Sequence, residues 1–193
     1  MLMSNFIKIE MKEDEMFIKD ERTAIFIDGR NTFSAARALS LHIDFAALRS
    51  EIMKICKLVR INYYVFLQPN NEFDRTRSVY DWLEYNGFTV IQKEYRDYRD
   101  SLGQTRIRGS FSVDITLDIL DLADRIDHVV LFSGDGDLCP LVQSIKRKGI
   151  RTTVVSTLKT NTPSVSDNLR RAADHFIDLD DMRDLIEKKN EPA

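Results

Sequence analysis

AIFIDGRN, at residues 24–31, is a short apolar run that stops at Asp28. A second run of the same kind, VVLFSGDGD at residues 129–137, stops at Ser133 and carries two further aspartates. Short β-branched and aromatic runs that end beside glycine are typical of buried parallel strands. The two runs therefore predict strands of an α/β fold whose carboxyl ends carry acidic side chains.

The acidic strand ends indicate a ligand site. In an open α/β sheet, ligands bind in the crevice beyond the carboxyl ends of the strands. Asp28, Asp135 and Asp137 would meet there, and three carboxylates at one edge repel one another unless a cation joins them. Hard oxygen ligands of this kind suit Mg²⁺ or Mn²⁺. The chain therefore has the pattern of a metal-dependent phosphotransfer or hydrolysis enzyme. Helix caps and a glycine-rich turn are the plainer alternatives.

The order of elements predicts the fold class. Strands and helices alternate along the chain, which is typical of a mostly parallel sheet covered by helices on both faces. We expect a three-layer α/β/α sandwich with a Rossmann-like, PIN-like sheet. We assign residues 1–21 to an N-terminal tail, 22–182 to the domain, and 183–193 to a C-terminal helix end and tail.

Composition limits the classes of function. The 193 residues are 43% hydrophobic and 31% charged, which fits one domain with a full core. The net charge of −3 excludes a broadly basic, histone-like binder, so any nucleic-acid contact must come from a local basic patch. No apolar stretch approaches the ~18 residues of a membrane span. Cys56 and Cys139 lack metal-ligand spacing and predict free, buried thiols. We expect a soluble, cytoplasmic protein without membrane contact.

A predicted helix at residues 110–125 adds further acids. Asp114 and Asp118 are four residues apart, so both lie on one side of that helix. Like charges at that spacing destabilise a helix unless something compensates them, which supports their participation in the metal site. The acids that follow are better explained as a solvated face: Asp121, Asp124 and Asp127.

The segment at residues 95–109 is the least regular and most cationic part of the sequence. Arg106 and Arg108 come immediately before the acidic helix, near the predicted site. Arginine contacts to phosphate, with tyrosine stacked on bases, are expected for single-stranded nucleic acid. A solvated loop is the alternative, because acidic residues interleave with the basic ones.

Together these motifs resemble the NYN domain, and more closely its bacterial LabA-like branch. The similarity covers roughly residues 22–182 and rests on these segments: 26–31, 81–88, 108–109, Asp118, 131–137 and 167–174. It implies a PIN-like fold and Mg²⁺- or Mn²⁺-dependent ribonuclease activity on RNA, with single-stranded regions as the expected substrate. Assembly into a homo-oligomer is compatible with the sequence.

The similarity also implies roles for individual residues. Asn31 and Ser133 would position ligands or water beside the acids. The implied catalytic residues are Asp28, Asn31, Asp114, Asp118, Ser133, Asp135 and Asp137. The implied metal ligands are Asp28, Asp118, Asp135 and Asp137. The implied RNA contacts are Arg30, Arg106 and Arg108.

One departure from the family pattern affects catalysis. Six positions before Asp118 the family carries an aspartate, but this chain has Ser112. Asp114 falls where the LabA-like branch has glutamate. Either Asp114 takes over from the helix start, or the site has one ligand fewer. The sequence thus predicts a ribonuclease, with a non-catalytic NYN module that binds RNA or a protein partner as the alternative.

Three other classes fit less well. A phosphatase of the haloacid-dehalogenase kind needs an acid two residues after Asp28, where this chain has Arg30. A toprim-type site shares the Asp-x-Asp turn but needs glutamate on the early strand. A dinucleotide-binding domain needs a glycine-rich phosphate turn, which the first strand lacks.

Overall fold

The computed structural model describes residues 17–67, 77–94, 96–99 and 105–187. For the strand residues 96–99 and 105–108, only the backbone is described. Most of the predicted N-terminal tail and the last six residues of the chain therefore lie outside the described residues, as does Tyr95. The domain limits stay a prediction.

The core of the molecule is a six-stranded sheet in which all neighbouring strands are parallel. The strands are β1 (Arg22–Asp28), β2 (Lys57–Leu67), β3 (Thr89–Glu94), β6 (His128–Phe132), β7 (Arg151–Ser156) and β8 (His175–Asp178). Their order across the sheet is β3-β2-β1-β6-β7-β8. Strand order reverses between β1 and β6, and such a switch point opens a crevice at the carboxyl edge of the sheet.

Seven α-helices occur in the described parts of the chain. They are α1 (Gly29–Ala38), α2 (Phe45–Ile55), α3 (Arg77–Tyr85), α4 (Ser112–Leu122), α5 (Cys139–Arg147), α6 (Asp167–Ala172) and α7 (Arg183–Ile186). Asp44 caps α2, because its side chain accepts backbone N–H bonds from Ala46 and Ala47. No described helix is long and apolar enough to span a membrane.

Two hydrophobic cores, one on each face, hold the helices to the sheet. Side chains of β1 alternate between them: Ile25 and Ile27 enter one core, and Ala24 and Phe26 enter the other. All four are fully buried, as expected for a strand covered on both faces. The first core takes α1, α2, α3 and α7; the second takes α4, α5 and α6. The predicted three-layer sandwich is confirmed.

A two-stranded antiparallel hairpin was not predicted from the sequence. It comprises β4 (Arg96–Arg99) and β5 (Thr105–Arg108), within the segment expected to be irregular. Each strand has four residues and no apolar alternation, so no sequence period marks it. Three residues separate the hairpin from α4, so the basic segment precedes the acidic helix, as predicted.

The amino edge of the sheet carries a network of charged and polar groups. His128 is fully buried; its Nε2 lies 2.8 Å from Thr153 Oγ1, and Arg151 contacts its Nδ1 at 3.2 Å. Arg151 also pairs with Glu21. Burial, helped by the charge of Arg151, lowers the pKa of His128 from 6.5 to about 3. The ring is therefore neutral at physiological pH, and its approach to Glu21 is not an ion pair.

Candidate functional site

The candidate site lies at the switch point of the sheet, where β1 and β6 end side by side. Asp28 is the last residue of β1, and Ser133 follows β6 directly. The register of the two strands pairs Ile27 with Phe132, so both turns begin at the same level. This register brings the two acidic turns to the same edge of the sheet, where the sequence predicted them to lie.

Asp28 is a nearly buried carboxylate, with 8% of its surface exposed. Its Oδ1 accepts a hydrogen bond from the backbone N–H of Asn31 at 3.2 Å and caps α1. Burial raises the pKa of Asp28, and the nearby charge of Asp135 raises it further, whereas the N–H bond and the charge of Arg30 oppose the shift. Ionised Asp28 and Asp135 thus repel each other in a partly dry crevice, where a cation would stabilise both.

Asn31 and Ser133 tie the two turns together. The side-chain oxygen of Asn31 accepts from the backbone N–H of Gly134 at 2.9 Å. Ser133 Oγ donates to Asp28 Oδ2 at 3.5 Å and accepts from the backbone N–H of Asp135 at 3.2 Å. The loop-holding geometry expected of Asn31 is therefore present, and Ser133 links the Asp28 carboxylate to the backbone of the other turn.

The turn after β6 presents its two aspartates differently. Asp135 is partly buried, and its Oδ1 accepts from the backbone N–H of Asp137 at 3.0 Å, capping a short 3₁₀ turn at Gly136–Leu138. Asp137 is exposed. Asp135 thus caps a helical turn with Oδ1, as the plainer alternative expected, and its Oδ2 is available to other partners.

Gly134 has no room for a side chain. A Cβ atom there would lie 1.7 Å from the backbone oxygen of Ser164. The Gly134 carbonyl accepts from the N–H of Ser166 at 2.9 Å, so the loop before α6 packs directly on the turn. Glycine is required by this close approach rather than by an unusual φ angle.

Ser112, the departure from the family pattern, lies at the site. Its hydroxyl donates to Asp135 Oδ2 at 2.6 Å, and Ser110 Oγ lies 2.5 Å from Ser112 Oγ. A carboxylate at position 112 would therefore be beside Asp135. The first residue of α4 contacts the candidate site, but it brings a hydroxyl instead of an acid.

Asp114 and Asp118 make other contacts. Asp114 forms an ion pair with Lys93, whose ammonium group also lies over the Phe111 ring. Asp118 Oδ2 accepts from Tyr64 OH at 2.6 Å and from Asn62 Nδ2 at 3.2 Å. In the described parts of the chain, no three His, Cys, Asp or Glu side chains form a group that could hold a metal ion. The structure thus brings Asp28 and Asp135 together but engages these two helix acids elsewhere.

Asn62 and Tyr64 are site-adjacent residues that sequence reasoning missed. Both are buried in β2. Burial, and then the bond to Asp118, raises the pKa of Tyr64, so the hydroxyl stays protonated and donates. The oxygen of the Asn62 amide is buried and finds no hydrogen-bond partner among the residues that the structure describes. The available signal was Asn62, the one amide in the otherwise apolar and aromatic stretch at residues 61–67.

Of the three predicted RNA contacts, Arg30 has a described side chain. Its guanidinium donates to the carbonyl of Gly109 at 3.2 Å and lies 5.3 Å from the centre of the Phe66 ring. Arg106 and Arg108 have side chains outside the described residues; their backbones pair with Tyr98 and Arg96 in the hairpin. Arg30 thus links α1 to the segment that enters α4.

The donor set of the site fits a hard divalent cation. Asp28 and Asp135 supply carboxylate oxygens, and Ser112 and Ser133 hydroxyls flank them. Mg²⁺ in proteins is commonly held by one or two carboxylates, with water or phosphate completing its coordination. Two acids at the switch point meet that requirement. The predicted ligand set of Asp28, Asp118, Asp135 and Asp137 stays a prediction; in the described structure Asp118 bonds to Asn62 and Tyr64 of β2.

Comparisons with known proteins agree with this architecture. The NYN domain profile matches residues 22–180. The Low amplitude and bright protein LabA of Synechococcus elongatus is 31% identical over 179 residues, which cover 92% of this chain and 94% of that protein. A crystal structure of a protein of unknown function from Vibrio parahaemolyticus is 27% identical, with a TM-score of 0.70 over 86% of this chain and 96% of that one. The predicted resemblance is confirmed. The chain belongs to the NYN domain family.

Proposed function

We propose that this protein is a ribonuclease that hydrolyses phosphodiester bonds in single-stranded RNA with Mg²⁺ or Mn²⁺ as cofactor. NYN and PIN-like domains are typically nucleases that act on RNA and depend on divalent metal. The observation that carries the proposal is the pair Asp28 and Asp135: two carboxylates that repel each other at the switch point of the sheet. Such a pair is suited to holding a cation against a phosphate.

In this proposal some side chains bind the cation and others orient the side chains that bind it. Asp28 and Asp135 would hold the cation, which when bound withdraws electron density from the scissile phosphate and offsets the charge that develops there. Asn31 and Ser133 would hold the two turns together, through the bonds from Gly134 N–H to Asn31 and from Ser133 to Asp28. Ser112 orients Asp135 through its hydroxyl.

Other predicted residues take outer positions in this proposal. Arg30, one residue into α1, would contact a flanking phosphate without reading sequence. Asp137 is exposed two residues beyond Asp135 and would approach the cation through water. Asp114 and Asp118 would stabilise the fold, Asp114 through its ion pair with Lys93 and Asp118 through its hydrogen bond from Tyr64. We place the protein in the cytoplasm, where its two cysteines stay as thiols. The structure has both as free cysteines, with Cys56 buried and Cys139 only partly so.

The test is cleavage of an end-labelled single-stranded RNA by the full chain, with Mg²⁺, with Mn²⁺ and with EDTA. We expect cleavage with either metal and none with EDTA. Asp28→Asn and Asp135→Asn should each lower the rate at least 100-fold, on the scale of losing a key electrostatic group. Asp121→Asn is the matched control, because it removes an exposed acid of α4 outside the site. Wild-type rates in both site variants would overturn the proposal.

A second candidate function is a non-catalytic module that binds RNA or a protein partner. The observation that favours it is Ser112, whose hydroxyl stands beside Asp135 where the family has an acid. With two carboxylates, cation affinity is lower than with three. Metal-independent RNA binding without any cleavage would select this function over the first.

A further inference from the structure

The exposed face of α1 begins beside the candidate site. Arg30, Phe33 and Arg37 follow one another at spacings of three and four residues, which places them on one side of the helix. All three are exposed, and Phe33 has 67% of its surface accessible. A phenylalanine so exposed, between two arginines and one turn from Asp28, has no role in the core of the protein.

Neither arginine forms an ion pair within the described residues, although the charge of Arg30 acts on nearby Asp28. Arg30 bonds to a carbonyl and covers an aromatic ring, so neither partner is an acid. For Arg37, the described parts of the chain provide no ion pair or side-chain hydrogen bond. By contrast, Arg171 on α6 pairs with Asp167. The α1 face is thus a local basic strip on a chain of net charge −3.

The other flank of α1 differs in charge. Ser34 and Ala38 line an open groove of about 490 Å³ together with residues 159–162 and Ser164. Its one cation, Lys159, is held by Asp180 at 3.1 Å and Asp181 at 2.9 Å. This groove offers hydroxyl and amide groups without net positive charge, so a polyanion is attracted to the arginine side of the helix.

We propose that the face formed by Arg30, Phe33 and Arg37 binds single-stranded RNA as it leaves the cleavage site. The two arginines contact phosphates, and the Phe33 ring stacks on a base. Single-strand binding combines a positively charged track with aromatic side chains, because every base has a π face and every nucleotide a phosphate. The inference rests on the proposed function for its substrate class, and it adds the path of the strand.

Binding is measured in EDTA, so that no RNA is cut, by fluorescence anisotropy of a labelled oligouridine with the full chain. Phe33→Ala should weaken binding about fivefold to 150-fold, the range for loss of one stacked base. Arg37→Ala should reduce the slope of log affinity against log salt by about 0.7, the contribution of one phosphate contact to a single strand.

Matched variants separate stacking from other effects. Phe33→Trp should retain affinity because it keeps an aromatic face, whereas Phe33→Leu should lose it while staying apolar. Tyr85→Ala removes an aromatic side chain that is 89% exposed on α3, and Arg147→Ala removes an exposed arginine of α5. Neither control lies beside the site, and both should bind RNA as the wild type does.

The outcomes also separate this inference from the proposed function. Metal-dependent cleavage by the wild type with unchanged RNA binding in Phe33→Ala and Arg37→Ala overturns the path and leaves the ribonuclease standing. If both variants bind RNA more weakly but the wild type never cleaves it, RNA binding to this face is supported and the ribonuclease proposal is wrong. If Phe33→Leu binds RNA as the wild type does, Phe33 does not stack on a base and the inference is wrong. It is also wrong if Phe33→Ala changes only the oligomeric state in light scattering, because the face then serves protein contact.

Discussion

The hydroxyl of Ser112 lies 2.6 Å from Oδ2 of Asp135, across the gap between the start of α4 and the turn after β6. This bond connects the residue that departs from the family pattern to a carboxylate of the candidate site. Hydroxyl and carboxylate are both oxygen donors, but only the carboxylate carries charge. Serine in place of aspartate at position 112 therefore keeps an oxygen donor beside Asp135 but removes a negative charge. The expected effect is on cation affinity.

Ser112→Asp tests that effect directly. Without divalent metal, we expect a lower unfolding free energy, on the order of 1 kcal/mol, because a third carboxylate joins Asp28 and Asp135. With Mn²⁺, we expect tighter binding and a larger rise in Tm than in the wild type, since a ligand that binds only the folded state stabilises it. Calorimetric titration and thermal unfolding measure both effects.

Ser110→Asp is the control for Ser112→Asp. It adds the same charge two residues earlier, at an exposed position that contacts Ser112 rather than Asp135. Equal Mn²⁺ affinity in Ser112→Asp and the wild type would show that the cation, if bound, is already fully coordinated. In that case Ser112 would give no reason to expect weaker catalysis than an aspartate at this position.

Asp118 is predicted to stabilise the fold instead of holding metal. Tyr64→Phe removes the hydroxyl that donates to it at 2.6 Å and should lower the unfolding free energy by about 1–2 kcal/mol. Asp118→Asn should leave Mn²⁺ affinity within about twofold of the wild type, while Asp28→Asn loses it. Urea unfolding and metal titration are the measurements; a tenfold loss of affinity in Asp118→Asn would return this residue to the metal site.

Gly134→Ala should damage both the fold and the site. Its Cβ would meet the backbone oxygen of Ser164 at 1.7 Å, and backbone cannot turn aside, so we expect a loss of about 3 kcal/mol. Gly136→Ala is the matched variant: its nearest neighbour is the side-chain hydroxyl of Ser166 at 2.9 Å, which can rotate at the cost of a helix cap of about 1 kcal/mol. Denaturant unfolding of the two variants should therefore differ by about 2 kcal/mol; equal losses would contradict the packing.

Stability should fall in mild acid because of His128. The unfolded chain takes up a proton near pH 6.5, whereas the folded chain resists protonation until about pH 3. The stabilisation is thus complete above pH 6.5 and falls by about 1.4 kcal/mol for each pH unit below it. Urea unfolding between pH 7.5 and 5 measures this slope. His128→Asn should flatten it, and His42→Gln, at an exposed position, should leave it as it is.

The fold and the centre of the site could be predicted from the sequence, because both depend on local patterns. The runs that end at Asp28 and Ser133 mark strands by composition, and parallel strands end at one edge. The partners of Asp114 and Asp118 could not be predicted, since they depend on which residues of β2 and β3 lie beneath α4. Lys93 and Tyr64 reach those acids through packing, which no spacing along the chain encodes.

The central position of β1 has a consequence for the order of synthesis. Asp28 is made early, but its neighbour Ser133 follows 105 residues later, so the crevice between them is absent until β6 has been translated and paired. Contacts this distant in sequence close late in folding. Whatever binds in this crevice therefore meets a completed site only after more than two thirds of the chain has been made.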